Sequence, residues 1–402
     1  MKNKHKQSLL RVSVLLGSLC LGLLVCEGIV RAAGIGGTTL SRGPMHTYDP
    51  DAGWMGLPGL DARYLMPGSF EVRVVNNSRG LRGGEHSFEK PNGIRRIAIL
   101  GDSFMWGFGV ENNELLAAVL ERELPATESI NLGANGYSTV QELIRLEKEG
   151  MRYAPDWTLL AFTFNDPGDN FDDKKGGRPV VRIAADGNVE ITNRPVRRHW
   201  KAPVKQWLRH NSRLFSLCEY CTSLFKAKWR QRQAAARATG GSRASSPAQA
   251  MPSRAGSMDF TALDVYARPS PEMDQGWAAF EGLLRRIRNL ATRDGGHLLV
   301  VYDAAKEAMT KEAFRDAIGE ELLADARLAI DWNRPSRRLE KICAALGVAY
   351  LDPTPEFRRQ EDPFRRLYLN NNGHWSAAGH ALAGKLVAAK LKALERASTT
   401  KK

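Results

Sequence analysis

Arg96-Ile-Ala-Ile-Leu-Gly-Asp-Ser-Phe104 runs from an apolar stretch straight into a glycine, an acid and a hydroxyl. An uninterrupted apolar run bounded by a turn signal reads as a strand buried on both faces, and Gly101-Asp102-Ser103 reads as a tight strand-to-helix turn. Outward from this stretch the same alternation repeats. Leu115 to Leu124 has helical spacing, Ser129 to Leu132 is a short strand, Gln141 to Glu149 a helix, and Trp157 to Thr163 (WTLLAFT) a second buried strand. Further on, Trp277 to Arg293 reads as a helix, His297 to Tyr302 (HLLVVY) as a strand and Ser336 to Leu346 as a helix stopped by Gly347. Val348 to Leu351 is a last strand and Ala377 to Leu391 a last helix. Strands alternating with helices predict an α/β fold with a mainly parallel sheet covered on both faces.

Two stretches interrupt or precede this pattern. Residues 36–93, rich in Gly, Pro and Asn, form a β-containing lead-in with a β-branched run at Val72 to Val75 and a turn at Asn77-Ser-Arg-Gly80. Residues 171–260 form an insertion between the halves 94–170 and 261–395. It opens with a hairpin (Val180 to Ile183, Val189 to Thr192) around Asp186-Gly187-Asn188. Val204 to Trp229 then carries apolar residues on three-and-four spacing among cations, a basic amphipathic helix or helix pair. Gln231 to Ser257, made of Ala, Ser, Gly and Arg without periodicity, reads as a linker.

The 402 residues carry 58 Lys and Arg against 44 Asp and Glu, a net charge of +14. That charge is concentrated in two places: +4 before residue 27, and fourteen cations against Glu219 alone between Arg194 and Arg254, so the remainder stands at −3. The body is mildly acidic, no nucleic-acid-binding motif accompanies the cations, and a nucleic-acid function is set aside. The first cluster (Lys2, Lys4, Lys6, Arg11) precedes the uncharged run Val12 to Cys26, then Glu27 and Arg31. Residues 1–35 therefore read as an uncleaved single-pass signal anchor with its N-terminus in the cytoplasm, the alternatives being a cleaved signal or a buried helix. Five cysteines exclude a disulfide scaffold. Cys218 and Cys221 have no second Cys/His pair and fall in a helical pattern, so apolar packing is expected of them rather than metal or redox chemistry. No metal site and no cofactor are indicated.

Four loops that follow strands hold reactive or donor groups: Ser103, Gly136, Asn165 and His374. Acyl transfer needs a hydroxyl that loses its proton to a base, together with preorganised donors for the oxyanion. Through Gly101-Asp-Ser-Phe104, Gly136, Asn165-Asp166 and His374, roughly residues 94–394 without the insertion, the chain resembles the SGNH hydrolases, or GDSL esterase/lipase family. It also resembles that family's membrane-anchored bacterial members associated with envelope polysaccharides, which have a stretch similar to Gly80-Leu-Arg-Gly83. The resemblance implies a flavodoxin-like three-layer α/β/α sandwich. It implies Ser103 as nucleophile, His374 as base, and the Ser103 N–H, Gly136 N–H and Asn165 side chain as oxyanion hole. Asp102 is implied to be a turn residue.

The chain departs from the family pattern where an Asp usually precedes the His, since Asn371 and Asn372 stand there, and Thr163 replaces a usual Gly. Three readings stay open: a Ser–His dyad oriented by an Asn or a backbone carbonyl, an acid recruited from elsewhere such as Asp352 or Asp362, or a degenerate site. The expected function is an esterase or acyltransferase acting on O-acyl, foremost acetyl, groups of a small molecule or envelope glycan. Its expected place is the bacterial inner membrane, with the catalytic domain periplasmic or extracellular. The basic amphipathic segment is a further candidate membrane contact. The competing functions are a catalytically degenerate polysaccharide-binding or scaffold protein, and a lipid or thioester acyl hydrolase.

Overall fold

In the computed structural model five parallel strands form one sheet: β1 (Arg95–Leu100), β2 (Thr127–Asn131), β3 (Trp157–Thr163), β4 (His297–Asp303) and β5 (Ala349–Leu351). Their spatial order is β2-β1-β3-β4-β5. This is the flavodoxin-like doubly wound order, in which the strand sequence reverses beside β1 and opens a crevice at the C-terminal strand ends. Ile97 pairs with Ser129 on one side and Trp157 on the other, and Leu299 bridges Leu159 and Ala349. All seven residues of β3 are buried, as a strand covered on both faces requires.

The structure describes residues 2–33, 39–40, 45–66, 69–173, 176–184, 187–198, 202–219, 221–222, 225, 265–266, 270–303, 305–318, 323–324, 329–369 and 372–399. Two compact units divide the chain. One comprises Met1–Met45, Ala62–Leu65 and His199–Ala248, the other His46–Asp61, Met66–Arg198 and Gln249–Lys402.

The larger unit holds the sheet and its helices α1 (Ser103–Trp106), α2 (Leu116–Glu123), α3 (Thr139–Lys148), α4 (Pro271–Thr292), α5 (Arg334–Leu346) and α6 (Ala377–Thr399). Right-handed crossovers in this strand order put α2 on one face and α3, α4 and α5 on the other. The packing of α2 on α6 and of α3 on α4 agrees with that. Phe162 stacks on Trp277 of α4 with ring centroids 5.1 Å apart, both fully buried. Such a side chain stabilises the fold by roughly 1.5–3 kcal/mol relative to an exposed one.

The expected elements appear with end corrections. Helix α4 begins six residues earlier than its apolar spacing suggests, because Ser270 caps it by accepting the Met273 N–H at 3.1 Å and Pro271 sits at its first position. Helix α6 runs on to Thr399. The hairpin pairs Val180 with Thr192 and Ile183 with Val189, and it packs on α4. The Gln231 to Ser257 linker lies outside the described residues.

In the smaller unit the N-terminal helix spans Lys2–Ala32, and Arg11–Ala32 is long and apolar enough to cross a membrane. The basic segment is a helix pair, Ala202–Asn211 and 213–219, broken at Ser212. Cys218 and Cys221 are exposed, which corrects the expectation of apolar packing.

The lead-in is tied into the sheet through Arg82. Its side chain is 2 % exposed and donates to the carbonyls of Trp106, Gly107 and Val110 and to Asn112 Oδ1. Trp106 and Gly107 end α1, with Gly107 in the left-handed region at φ 86°. Helix C-termini leave orphan carbonyls, and a guanidinium is well shaped to collect them. Burial lowers the Arg82 pKa to about 9, still charged at neutral pH. Replacing Arg82 by Ala strands several buried acceptors, so chemical denaturation of Arg82→Ala is expected to show a loss of about 3 kcal/mol or more.

Candidate active site

Ser103 opens α1 directly after β1, and Asp102 caps the turn by accepting the Phe104 N–H at 2.9 Å. The hydroxyl is left half-buried at the C-terminal end of the sheet. A second loop closes on it from the other end of the sequence. Tyr368 and Trp375 pair as an antiparallel bridge, and the Leu369 N–H donates to the His374 carbonyl at 2.9 Å. The Lys306 ammonium, just beyond β4, donates to the Leu369 carbonyl at 2.8 Å. Trp375 is fully buried edge-on against Phe104, with centroids 5.4 Å apart, so this loop and α1 share a core contact.

The result is a hydrogen-bonded chain. His374 Nε2 lies 2.6 Å from Ser103 Oγ. On the far side of the ring Nδ1 meets Asn372 Oδ1, and the same oxygen accepts the His374 backbone N–H at 3.0 Å. An atom that receives a backbone N–H is the amide's carbonyl oxygen, which cannot donate. The imidazole proton therefore sits on Nδ1, leaving the Nε2 lone pair for the serine hydroxyl. His374 is stacked on Phe108 at 4.4 Å and tilted against Phe104 at 4.9 Å. Burial lowers its pKa to about 4, so it is neutral at pH 7.

The acids weighed as recruits stand elsewhere. Asp352 accepts from Ser336 Oγ and, at 2.8 Å, from the Thr354 N–H, while Asp362 faces Arg365 across 3.8 Å on the surface. Asn371 lies outside the described residues. A recruited acid at either named position is thereby excluded.

The loops after β2 and β3 border the other side of Ser103. Gly136 has φ 72°, a left-handed conformation that favours glycine. Its loop is fixed to the Ser103 turn by the Ala134 N–H to Gly101 carbonyl bond (3.2 Å) and by Asn131 Nδ2 to the Met105 carbonyl (2.9 Å). The lead-in holds the outer side: Trp54 Nε1 donates to the Asn135 carbonyl at 3.0 Å, and the Tyr137 hydroxyl to the Trp54 carbonyl at 2.6 Å. Asn165 Nδ2 donates to Asp169 Oδ2 at 2.7 Å, which occupies one of its two N–H groups.

Arg178 joins the Gly136 and Asn165 loops, and sequence reasoning missed it. Its side chain has no exposure, its Nη2 lies 3.2 Å from Asp169 Oδ1, and its Nη1 donates to the Gly136 carbonyl at 3.2 Å. In sequence it is one cation near the start of a basic insertion. The available signal was its place two residues before the hairpin strand that packs on the core.

Beneath these loops lies a group of buried carboxyls. Thr163, where the family resemblance leads one to expect Gly, donates its hydroxyl to Asp303 Oδ2 at 3.0 Å and its N–H to Asp166 Oδ2 at 2.9 Å. Burial, reinforced by mutual repulsion, raises Glu142, Asp166 and Asp303 well above the usual carboxyl range. Asp102 is raised to about 6 by burial, against the opposing Phe104 N–H. Burial and like charge both disfavour the ionised form of these groups.

The GDSL-like lipase/acylhydrolase family model matches residues 99–382. No curated protein matches the chain. Among solved structures, a lipase/acylhydrolase from Enterococcus faecalis is 13% identical with a TM-score of 0.37, covering 75% of this chain and 96% of that one. A carbohydrate acetylesterase family member from Sinorhizobium meliloti is 11% identical with a TM-score of 0.36, covering 74% and 98% respectively. The family match spans well over half of the sequence and includes the Ser103 turn, the loops that carry Gly136 and Asn165, and the His374 loop. The chain belongs to the GDSL-like lipase/acylhydrolase family and is an ester-hydrolysing enzyme.

Proposed function

We propose that the protein is a membrane-anchored serine esterase or acyltransferase acting on O-acyl, foremost O-acetyl, esters of an envelope glycan, through a Ser103–His374 dyad oriented by Asn372. The 2.6 Å contact between Ser103 Oγ and His374 Nε2, with the ring proton committed to Asn372, carries this reading. His374 Nε2 takes the hydroxyl proton as Oγ attacks the acyl carbonyl. The resulting oxyanion meets the Ser103 and Gly136 N–H groups and the second N–H of Asn165. The imidazolium then protonates the leaving alkoxide, and the acyl group stays on Oγ. Water or an acceptor hydroxyl, deprotonated by the same nitrogen, releases it.

Asn372 performs half of the work of a triad acid. It holds the tautomer and the ring plane, but it offers no charge to the imidazolium. A serine triad deprived of its carboxylate loses about 10⁴ in rate when the tautomer is also wrong. Here the tautomer is right, so a smaller deficit is expected.

Retention of the N-terminal helix is supported by its own contacts. Glu27 and Arg31 hydrogen-bond residues 211–214, which a cleaved signal would have no reason to do. An anchored enzyme is confined to the surface where envelope glycans carry acyl esters.

A fluorophosphonate probe should label the purified protein, and p-nitrophenyl acetate should be turned over. Both signals should vanish in Ser103→Ala and fall in His374→Ala. Absence of Ser103-dependent labelling would replace this reading with that of a degenerate scaffold. Faster turnover of long-chain esters than of acetyl esters would favour a lipid substrate.

Replacing Asn372 by Asp places a carboxylate beside the imidazolium and raises the His374 pKa from its present value of about 4. The base form is then lost at higher pH, so the acid limb of kcat/KM should move upward while the plateau rises about tenfold or more. Arg178→Met should lower kcat by about tenfold to a hundredfold with little change in KM, because it loosens donors that act chiefly on the oxyanion. Steady-state kinetics across pH check both.

A further inference from the structure

The smaller unit contains a joint that neither the family nor the catalytic reading uses. The helix Ala202–Asn211 ends, Ser212 interrupts, and a second helical stretch begins at 213. Ser212 Oγ accepts the Phe215 N–H at 3.0 Å and so caps the second stretch. Two side chains of the N-terminal helix complete the break. Glu27 accepts the Arg213 N–H at 3.0 Å, the Leu214 N–H at 2.9 Å and the Ser212 hydroxyl at 2.8 Å. Arg31 donates to the Asn211 carbonyl at 2.7 Å and pairs with Glu27 at 2.7 Å.

The signs are complementary at both ends. A carboxylate meets the positive first turn of one helix and a guanidinium meets the negative last turn of the other. The position along the N-terminal helix matters equally. The uncharged run Val12 to Cys26 is fifteen residues long. At about 1.5 Å per residue it reaches roughly 22 Å, short of a hydrocarbon core of about 30 Å. Glu27 and Arg31 therefore stand where that helix approaches the boundary of the lipid. An isolated carboxylate is costly there, whereas one balanced by a guanidinium and three hydrogen-bond donors is not.

The helix pair held at this joint turns apolar groups outward. Val204 is 59% exposed and Trp207 63%, three residues apart on one helical face. Lys205 and Arg209 flank that face, both within reach of Glu219. Tryptophan beside cations on an amphipathic helix matches the membrane–water boundary, where the ring sits among headgroups.

We infer that the helix pair spanning 202–219 is an interfacial membrane segment: the Glu27–Arg31 joint holds it at the level where the N-terminal helix leaves the bilayer, with Val204 and Trp207 immersed among lipid headgroups. The occupant of the exposed face is the same bilayer that the N-terminal helix enters. This rests on reading that helix as a retained anchor.

The test uses the full chain in vesicles of phosphatidylcholine and phosphatidylglycerol, with acyl chains brominated either near the headgroup or near the methyl end. Tryptophan emission should be quenched by the shallow bromines more than by the deep ones, and Trp207→Phe should remove that difference without changing p-nitrophenyl acetate turnover. Glu27→Gln weakens the joint and should reduce the shallow quenching while the chain stays in the membrane. Identical quenching in wild type and Trp207→Phe, with the protein resistant to carbonate extraction, would overturn the interfacial segment and leave the anchor standing. Release by carbonate would overturn the anchor reading itself, and the interfacial segment with it.

Discussion

Asn372 Oδ1 receives two N–H groups from one residue, the backbone and the ring of His374. That double acceptance fixes which nitrogen carries the proton and in which plane the ring lies. The short approach of Nε2 to Ser103 depends on both. A carboxylate would supply the same geometry and add a charge, and an amide supplies the geometry alone. The apolar packing of His374 against Phe104 and Phe108 fits this economy. With no anion beside it, the ring is most stable neutral, which is the form a base requires before the reaction.

The surroundings of the dyad are governed by buried charge. Two arginines from segments outside the sheet reach inward, one to a set of backbone carbonyls and the other to an acid and a loop carbonyl. Arg82 gathers the end of the helix that Ser103 opens. Arg178 ties Asp169 to the Gly136 loop. Asp169 meets both the Asn165 amide and the Arg178 guanidinium. The guanidinium offsets that anion while setting the direction of the amide. The acids deeper in the site are pushed upward in pKa by burial and by one another's charge.

The sheet was readable because its strands bury both faces, so RIAIL, WTLLAFT and HLLVVY appear as unbroken apolar runs. Helix ends were read less well where a cap rather than apolar spacing decides them, as at Ser270 and Pro271. The loops after β1, β2 and β3 pointed to Ser103, Gly136 and Asn165, because topology puts such loops at one end of the sheet, whereas His374 lies two short helices beyond β5 and was marked by the family resemblance. The choice between Asn372 and a recruited acid was not readable. It turns on whether Asp352 or Asp362 folds back to the imidazole, and each is instead engaged locally, with Ser336 and with Arg365.

Arg82, Arg178 and the Glu27–Arg31 pair were hidden for a shared reason. A charged side chain in sequence is most often solvated, and only its partners reveal otherwise. Those partners come from distant positions: Gly107 for Arg82, Gly136 for Arg178, residues 212–214 for Glu27 and Asn211 for Arg31. Apolar periodicity announces itself locally because every member of the pattern is adjacent on one element. A buried cation has no such pattern, since what it satisfies is a set of backbone groups that every sequence possesses. The charges that orient this site and join its N-terminal helix to residues 211–214 are therefore the features that only the folded chain discloses, even though the charge balance was the first property its composition made visible.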